Sequence, residues 1–296
     1  MSNYYGILAA AGAFLLWGVL PAYWKLLISV PATEILCHRM VWSLVLTLGL
    51  VYFFGRQAAL RQAVRDRRTL VFFTGTALLL AFNWLLYIWS VNAGFIVEAS
   101  LGYFINPLIS VLFGMIFFRE RMRAVQWLAL LLAALGVLYL TLYYGRFPWI
   151  SLSLAVTFAT YGLLHKKTAL AALDGLCLET AVVFLPAMLF LVGVEAGTGG
   201  SFGHMGLAGS LLLAGSGIVT TVPLLLFGYA AQKIALSSLG LIQYLAPSIS
   251  LVIGVWVYGE DFSKPRLIGF CIIWLALGLY MTENIVRRLR YEKKML

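Results

Sequence analysis

The sequence predicts an all-α integral membrane protein of ten transmembrane helices, arranged as two inverted five-helix repeats with both termini in the cytoplasm. Three observations support this prediction: an apolar composition, a series of long apolar segments, and a motif that occurs twice. Hydrophobic residues make up 62% of the 296 residues and charged residues only 11%, and the mean hydropathy is +0.96. Soluble domains carry about 25% charged residues, so this composition excludes a soluble domain.

Ten apolar segments follow one another along the chain, each about long enough to cross a bilayer. They lie near residues 4–26, 32–54, 70–92, 96–118, 124–144, 148–164, 176–195, 208–229, 237–258 and 266–285. Membrane-spanning strands would be about ten residues long and would alternate in polarity. These segments are longer and continuously apolar, so we expect helices.

The basic residues orient these spans. Of the 21 Lys and Arg residues, 16 fall in the C-terminal tail or in loops that are cytoplasmic if the N-terminus is, and three fall in the opposite loops. Positive charge accumulates in cytoplasmic loops, so both termini are expected inside. The net charge of +10 then reflects topology and contact with lipid headgroups, not nucleic-acid binding. We expect residues 56–68 to form a plain cytoplasmic loop rather than an amphipathic helix.

A proline, a glycine and a glutamate recur with identical spacing in the two halves of the chain. The first copy consists of Pro107, Gly114 and Glu120, and the second of Pro247, Gly254 and Glu260. Five spans per half is an odd number, so the second half crosses the membrane inverted, a pattern that supports alternating access to a site near the midplane. We divide the chain into a repeat at 1–145, an inverted repeat at 146–286 and a basic cytoplasmic tail at 287–296.

Inversion places the two repeated glutamates on opposite membrane faces. Glu120 and Glu260 are therefore expected to be structural acids at helix ends, paired with cations such as Arg121 or Lys264. The two glycines are expected to allow close helix packing. Prolines inside spans are candidate kinks or hinges because each removes a backbone hydrogen bond. These are Pro21, Pro107, Pro186, Pro223 and Pro247.

The doubled layout, with proline, glycine and glutamate closing each fourth span, resembles the drug/metabolite transporter superfamily with two EamA repeats. Four stretches resemble its RarD subfamily: WGVLPAYWK (17–25), EILCHRMVWS (34–43), NWLLYIWSVN (83–92) and EASLGYFINP (98–107). The second half matches through GIVTTVPLL (217–225) and LGLIQYLAP (239–247). This resemblance implies a carrier of small organic solutes in a bacterial inner membrane.

Polar and aromatic side chains within the spans are the candidate solute ligands, since an ionisable group at bilayer depth costs about 2.5–3.5 kcal/mol. Glu34, His38 and Arg39 lie at the outer end of span 2, where they either line a solute site or form a structural pair, Glu34–Arg39 or Glu34–Lys25. The deeper amides and aromatic rings either bind solute or pack between helices and anchor them. The full candidate set is Trp17, Lys25, Glu34, His38, Arg39, Asn83, Trp84, Tyr87, Tyr103, Asn106, Gln243 and Tyr244.

Four titratable groups are candidates for proton coupling or gating: Glu34, His38, Glu98 and Glu179. Asp174 is expected in a loop. The three cysteines show no metal-ligand or disulfide spacing, and we expect no metal and no cofactor. The chain has no GxxxxGK[ST] and no HExxH motif, which argues against ATP hydrolysis and against an enzyme.

The sequence thus predicts a secondary transporter, an exporter of a small metabolite or drug-like solute that works by alternating access. A lipid flippase, a scramblase or a channel-like protein is the alternative, and a membrane-embedded enzyme is favoured least. The expected partners are a small-molecule solute and membrane lipids, with no nucleic acid. The sequence leaves a homodimer open.

Overall fold

A computed structural model describes residues 2–93, 95–145, 147–197, 199–259 and 264–292. These residues form twelve α-helices and one π-helical turn and contain no strand, so the all-helical prediction is confirmed. The helices are α1 Ser2–Lys25, α2 Ala32–Phe53, α3 Gln57–Arg65, α4 Arg67–Asn92, α5 Ile96–Phe118, α6 Ala124–Tyr144, α7 Trp149–Lys167, α8 Ala172–Gly197, α9 Gly206–Lys233, α10 Leu236–Ile242, α11 Leu245–Val252 and α12 Lys264–Glu292, with the π-helical turn at Ile253–Val257.

Eight segments of the described chain are long and apolar enough to cross a membrane. They are Tyr4–Lys25, Ala32–Phe53, Arg67–Ser90, Ala99–Phe118, Ala124–Tyr143, Ala172–Gly197, Gly206–Lys233 and Leu236–Val257. The predicted spans near 148–164 and 266–285 coincide with α7 and α12, which are not among these eight. The count of ten spans therefore stays a prediction.

Large apolar side chains cover the outside of the helical bundle. Trp256 is 85% exposed and Ile28 80%, and Phe53 and Leu207 are exposed to a similar extent. A water-soluble protein rarely exposes apolar patches on this scale. Hydrocarbon chains solvate these side chains without cost, so this surface is suited to a bilayer.

The segment between the second and third apolar runs is helical, and the expectation of a plain loop at 56–68 is wrong. Helix α3 buries Ala63 and packs its Leu60 near Phe73 of α4 and Leu178 of α8. The sequence RQAALRQAVR places alanine and leucine on one side and arginine on the other. Burial of that apolar side stabilises a helix too short to form alone.

Helix α4 begins at a side-chain cap. The Asp66 carboxylate accepts hydrogen bonds from the backbone N–H (3.1 Å) and the hydroxyl (2.6 Å) of Thr69. The Thr69 hydroxyl, together with the backbone N–H groups of Arg68 and Thr69, lowers the pKa of Asp66 below its ordinary value. The negative charge of Asp66 at the start of α4 is also stabilised by the positive end of the helix dipole.

An aromatic cluster fills the bundle between α1, α7 and α9. We call Phe14, Trp17, Phe158, Tyr161 and Phe227 the aromatic plug. Ring centroids are 5.4 Å apart for Phe14–Trp17, 5.7 Å for Trp17–Phe158 and 5.2 Å for Phe158–Phe227. Aromatic pairs at such distances add stability beyond the area they bury. The plug therefore closes the space between these three helices.

The two copies of the proline–glycine–glutamate motif differ in backbone structure. Helix α5 continues through Pro107, whereas the matching segment breaks after Ile242 and resumes at Leu245. Pro247 then lies in the first turn of α11. The backbone N–H groups of a first turn have no partner within the helix, so the missing N–H of proline costs no helical hydrogen bond there. Pro21, Pro186 and Pro223 lie inside α1, α8 and α9. None of these helices is interrupted at its proline, and the predicted kinks stay predictions.

Candidate functional site

A cavity of about 610 Å³ lies within the bundle, a volume typical of small-molecule sites. Its walls come from the C-terminal halves of α1 and α4, the N-terminal halves of α2 and α5, and the segment that runs from Gln243 through α11 and the π-helical turn to Tyr258. Helices α7 and α9 add Leu154, Phe158, Thr220 and Leu224. Since α1 and α4 end at the side where α2 and α5 begin, the cavity lies toward one end of the bundle.

Most of the candidate solute ligands line this cavity. They are Trp17, Lys25, Arg39, Asn83, Trp84, Tyr87, Tyr103, Asn106 and Gln243, together with the prolines Pro21 and Pro247. Residues from both predicted repeats are thus brought together around one space. Their role in binding stays a prediction.

Glu34 and His38 do not line the cavity but hold the segment between α8 and α9. The Glu34 carboxylate accepts hydrogen bonds from the Ser201 backbone N–H (2.6 Å) and hydroxyl (2.9 Å). The His38 ring stacks on Phe202 at 5.3 Å, and its Nε2 is 3.8 Å from Glu34. Neither of the two expected pairs of Glu34, with Arg39 or with Lys25, is among the ion pairs of the described residues.

Arg39 faces the cavity instead, one position beyond His38. Its Nε donates a 2.9 Å hydrogen bond to the Thr220 hydroxyl on α9. Its guanidinium carbon lies 4.9 Å from the ring centre of Trp24 and 4.7 Å from that of Trp84. Two aromatic faces and one hydroxyl therefore hold the guanidinium in place.

Lys25 brings a second positive charge to the cavity wall. Its Nζ lies 3.4 Å from the centre of the Tyr258 ring, in a cation–π contact between α1 and the end of the π-helical turn. Tyr87 and Tyr103 meet edge to face at 5.9 Å on another part of the wall. The cavity is thus aromatic, with two fixed cations.

Of the predicted amides and Tyr244, some line the cavity and some only pack between helices. Asn83 donates to the Leu154 carbonyl (2.9 Å) and to the Thr157 hydroxyl (2.7 Å), so it joins α4 to α7 while lining the cavity. Asn106 accepts a 3.4 Å bond from Ser110 on its own helix. Tyr244 does not line the cavity, and its hydroxyl donates to the Phe104 carbonyl at 3.1 Å. Of the two roles considered for the aromatic rings, solute binding and helix packing, Tyr244 therefore has the packing role.

Glu179 lies in a buried cluster with two residues of α7. The Tyr161 hydroxyl donates to Oε2 at 3.0 Å, and His165 Nε2 is 2.9 Å from Oε1. All three side chains are 2% exposed or less, and His165 Nδ1 has no hydrogen-bond partner among the described residues. We call this group the buried triad. Glu98 lies in the first turn of α5, and its side chain lies outside the described part of the chain.

The buried triad is one layer of side chains away from the large cavity. A second cavity of about 20 Å³ is lined by Glu179, Thr180 and Ser43 among others. It shares Trp84, Thr220 and Leu224 with the large cavity.

Asp174 is not a loop residue, and that expectation is wrong. It lies in the first turn of α8, fully buried, and accepts bonds from Arg56 Nε (2.9 Å) and Nη2 (2.6 Å). The hydrogen bonds that Arg56 donates to the Asp174 carboxylate, together with the negative charge of that carboxylate, raise the pKa of Arg56 above its ordinary value. A buried carboxylate in the membrane would be costly without such a partner.

Glu120 bonds to the backbone of the other half of the chain, not to Arg121. Its Oε1 accepts the Leu236 N–H at 2.7 Å, and its Oε2 accepts the Ser237 N–H at 2.9 Å, which caps the start of α10. Lys166 Nζ lies 3.9 Å from Oε1. We call this arrangement the Glu120 clamp. Glu260 lies outside the described residues.

Several residues of the site were not among the predicted ones. Thr220, Trp24 and Tyr258 contact the two cavity cations, and His165 completes the buried triad. Thr220 falls in GIVTTVPLL, a stretch singled out in the sequence without assigning any of its residues a role. The aromatic partners give no separate sequence signal, because tryptophan and tyrosine are equally common as interface anchors.

The apolar helices and their cavity are those of a multi-pass membrane protein, and comparisons with known proteins identify its family. The EamA-like transporter family matches residues 4–142. "Protein RarD" of Streptomyces exfoliatus is 43% identical over 97% of this chain and 91% of its own length. "Protein RarD" of Escherichia coli strain K12 is 40% identical over 97% of both chains.

The chain belongs to the EamA family of the drug/metabolite transporter superfamily, in its RarD subfamily, and is a multi-pass inner-membrane protein. A more distant relative from Pseudomonas aeruginosa, 29% identical over 93% of this chain and 92% of its own, is named "Chloramphenicol-sensitive protein RarD". A crystal structure matches with a TM-score of 0.71 over 93% of this chain and 96% of the other, at 19% identity. That likeness shows the fold alone. Two further relatives, 41% and 40% identical, are named as transporters. The chain is a transporter rather than an enzyme.

Proposed function

We propose that this protein is a secondary transporter that exports a small organic solute across the bacterial inner membrane by alternating access. The observation that supports this most is the 610 Å³ cavity, whose walls combine residues of both predicted repeats. Trp17 and Arg39 come from the first repeat, and Gln243 and Ser250 from the second. A site between inverted repeats becomes accessible from either side when one repeat moves against the other.

The position of the cavity supports the proposal that the described conformation is an outward-facing state, provided that both termini are cytoplasmic. The cavity lies at the end where α1 finishes, which is then the outer end. The aromatic plug and the Glu120 clamp lie between the cavity and the opposite end of the bundle. Solute would be released from this state to the outside. The clamp would open when the protein turns to the cytoplasm to load solute.

The export direction in this proposal rests on the resemblance to the drug/metabolite transporter superfamily. Proton coupling is proposed for the buried triad, because Glu179 is a buried acid adjoining a small cavity next to the solute cavity. Glu34 and His38 are engaged with the segment between α8 and α9 and are assigned a structural role.

Purified protein in liposomes tests the transporter proposal. Uptake of amino acids, nucleotides, amphenicols and cationic drugs is compared with and without an imposed proton gradient. At least one class should enter saturably. Leu251→Trp, which fills the cavity, should lower its uptake about tenfold, the effect of about 1.4 kcal/mol on solute binding. Leu211→Trp, on an exposed face of α9, is the matched control and should leave uptake unchanged.

A different outcome of the liposome experiment would contradict the transporter proposal. No uptake of any class, with labelled phospholipids crossing between leaflets instead, would overturn the transporter proposal in favour of a lipid scramblase.

A further inference from the structure

The large cavity carries positive charge that no acid in the described part of its wall neutralises. Lys25 and Arg39 both line it, and no aspartate or glutamate does so within the described part of the chain. Glu34, five residues before Arg39 on α2, is 3% exposed and its two oxygens are taken by Ser201. The acid nearest in sequence is thus bonded elsewhere.

Arg39 is held in position by groups that are not acidic, as far as the described residues extend. Only its Nε is used by the described residues, in the bond to Thr220, and no carboxylate lies within ion-pair distance. The two terminal amino groups of the guanidinium remain for a ligand. Their planar geometry matches the two oxygens of a carboxylate. A cation held at bilayer depth is costly, and an anionic ligand relieves that cost.

The rest of the wall favours a planar apolar body. Trp17, Trp84, Tyr87 and Tyr103 line the cavity together with Phe158. Aromatic rings stack on one another with ring centres about 4.5–7 Å apart, so a ligand ring finds several partners here. Lys25 adds a second charge at the end where the cavity meets the π-helical turn.

From these observations we infer that the cavity selects small organic anions, and aromatic carboxylates in particular, with Arg39 pairing the carboxylate and the aromatic wall stacking on the ring. This inference rests on the proposed transporter function and assigns its substrate class. It assigns Arg39 the role of the specificity-determining residue.

Three compounds with the same skeleton test the inference: 3-phenylpropionate, 3-phenylpropanamide and 3-phenylpropan-1-amine, which are anionic, neutral and cationic at pH 7. Binding to the purified full-length protein is measured by calorimetry. The anion should bind about tenfold or more tightly than the amide, the factor expected for a charge-assisted bond to arginine. Arg39→Gln should abolish that preference. Arg61→Gln, which removes an exposed arginine outside the cavity, should preserve it.

Lys25→Gln is measured in the same way and should weaken anion binding severalfold, so the result does not depend on the folding of one variant. Equal or tighter binding of the amide or the amine would overturn the inference, as would an anion preference that survives Arg39→Gln. Saturable liposome uptake of other solutes, with none of the three compounds bound, would overturn the substrate class but not the transporter. Lipid scrambling without solute uptake would overturn the transporter proposal itself.

Discussion

Three neighbouring polar residues in the first half of α2 contact different parts of the molecule. Glu34 and His38 are four residues apart, share a helix face, and contact Ser201 and Phe202. Arg39 is one residue further, which rotates its side chain by about 100° and directs it into the cavity. His38 therefore anchors the segment between α8 and α9, whereas Arg39, the next residue, is a candidate solute ligand.

The buried triad makes a residue-scale prediction. Glu179→Gln leaves only one carbonyl oxygen for the two groups that now contact the carboxylate, Tyr161 and His165. We expect a loss of about 1–3 kcal/mol of stability, because one buried polar group is left unpaired. If the triad carries the coupled proton, uptake into liposomes should also lose its dependence on a proton gradient. Thermal unfolding and gradient-driven uptake measure the two effects.

The same helix offers a matched control. Glu195 and His204 form a pair of the same length, 2.9 Å, but both side chains are exposed. Glu195→Gln should therefore leave both stability and gradient dependence almost unchanged. Gradient dependence that persists undiminished in Glu179→Gln would remove the triad from the coupling mechanism.

At the scale of helices, the proline–glycine–glutamate spacing has a structural explanation in its first copy. A Cβ at Gly114 would lie 2.5 Å from Glu120 Oε2 and 3.1 Å from the Ser237 nitrogen. The glycine therefore provides the space in which the glutamate reaches the start of α10. The chain turns back for this contact through Arg119, whose φ of 52° ends α5 in the left-handed conformation. Close packing was predicted for Gly114, but the group it accommodates was not.

Gly114→Ala should displace the Glu120 carboxylate and open the end of the bundle that the Glu120 clamp closes. Ala231 is fully buried on α9 near that end, so a cysteine at this position in a variant without native cysteines reports opening. Maleimide labelling should rise severalfold in Gly114→Ala, as it should in Glu120→Ala.

Gly75→Ala is the control for this experiment, because its new Cβ would meet nothing within 4 Å. Alanine in that helix should be neutral or slightly stabilising, by up to about 1 kcal/mol, and labelling should not change. Equal labelling of all three variants would show that the clamp does not hold this end closed.

Much of the helical architecture was predictable from the sequence, because continuous apolar runs leave the backbone no alternative to helices in a bilayer. The candidate ligands were partly predictable, since polar groups at bilayer depth are rare and attract notice. Their partners were not. Thr220 lies 181 positions from Arg39, and the Glu120 clamp joins residues 116 and 117 positions apart. Such contacts depend on helix packing, which composition and periodicity do not specify.

At the scale of the whole molecule, we propose that two related halves surround one cavity, which opens to one side of the membrane at a time. The ten-span count, the inverted repeats, the cytoplasmic termini and a homodimer stay predictions. A carrier of this kind must couple closure of one end to opening of the other. A channel opens both ends together, and a scramblase needs no such coupling.

Distances between spin labels at the two ends test this coupling most directly. One pair replaces the exposed residues Ile28 and Phe147 at the cavity end, and the other replaces Arg121 and Lys233 at the opposite end. On addition of a transported solute, we expect a new population in which the first distance shortens while the second lengthens. Distances that lengthen together at both ends, or that stay unchanged while solute is transported, would contradict alternating access.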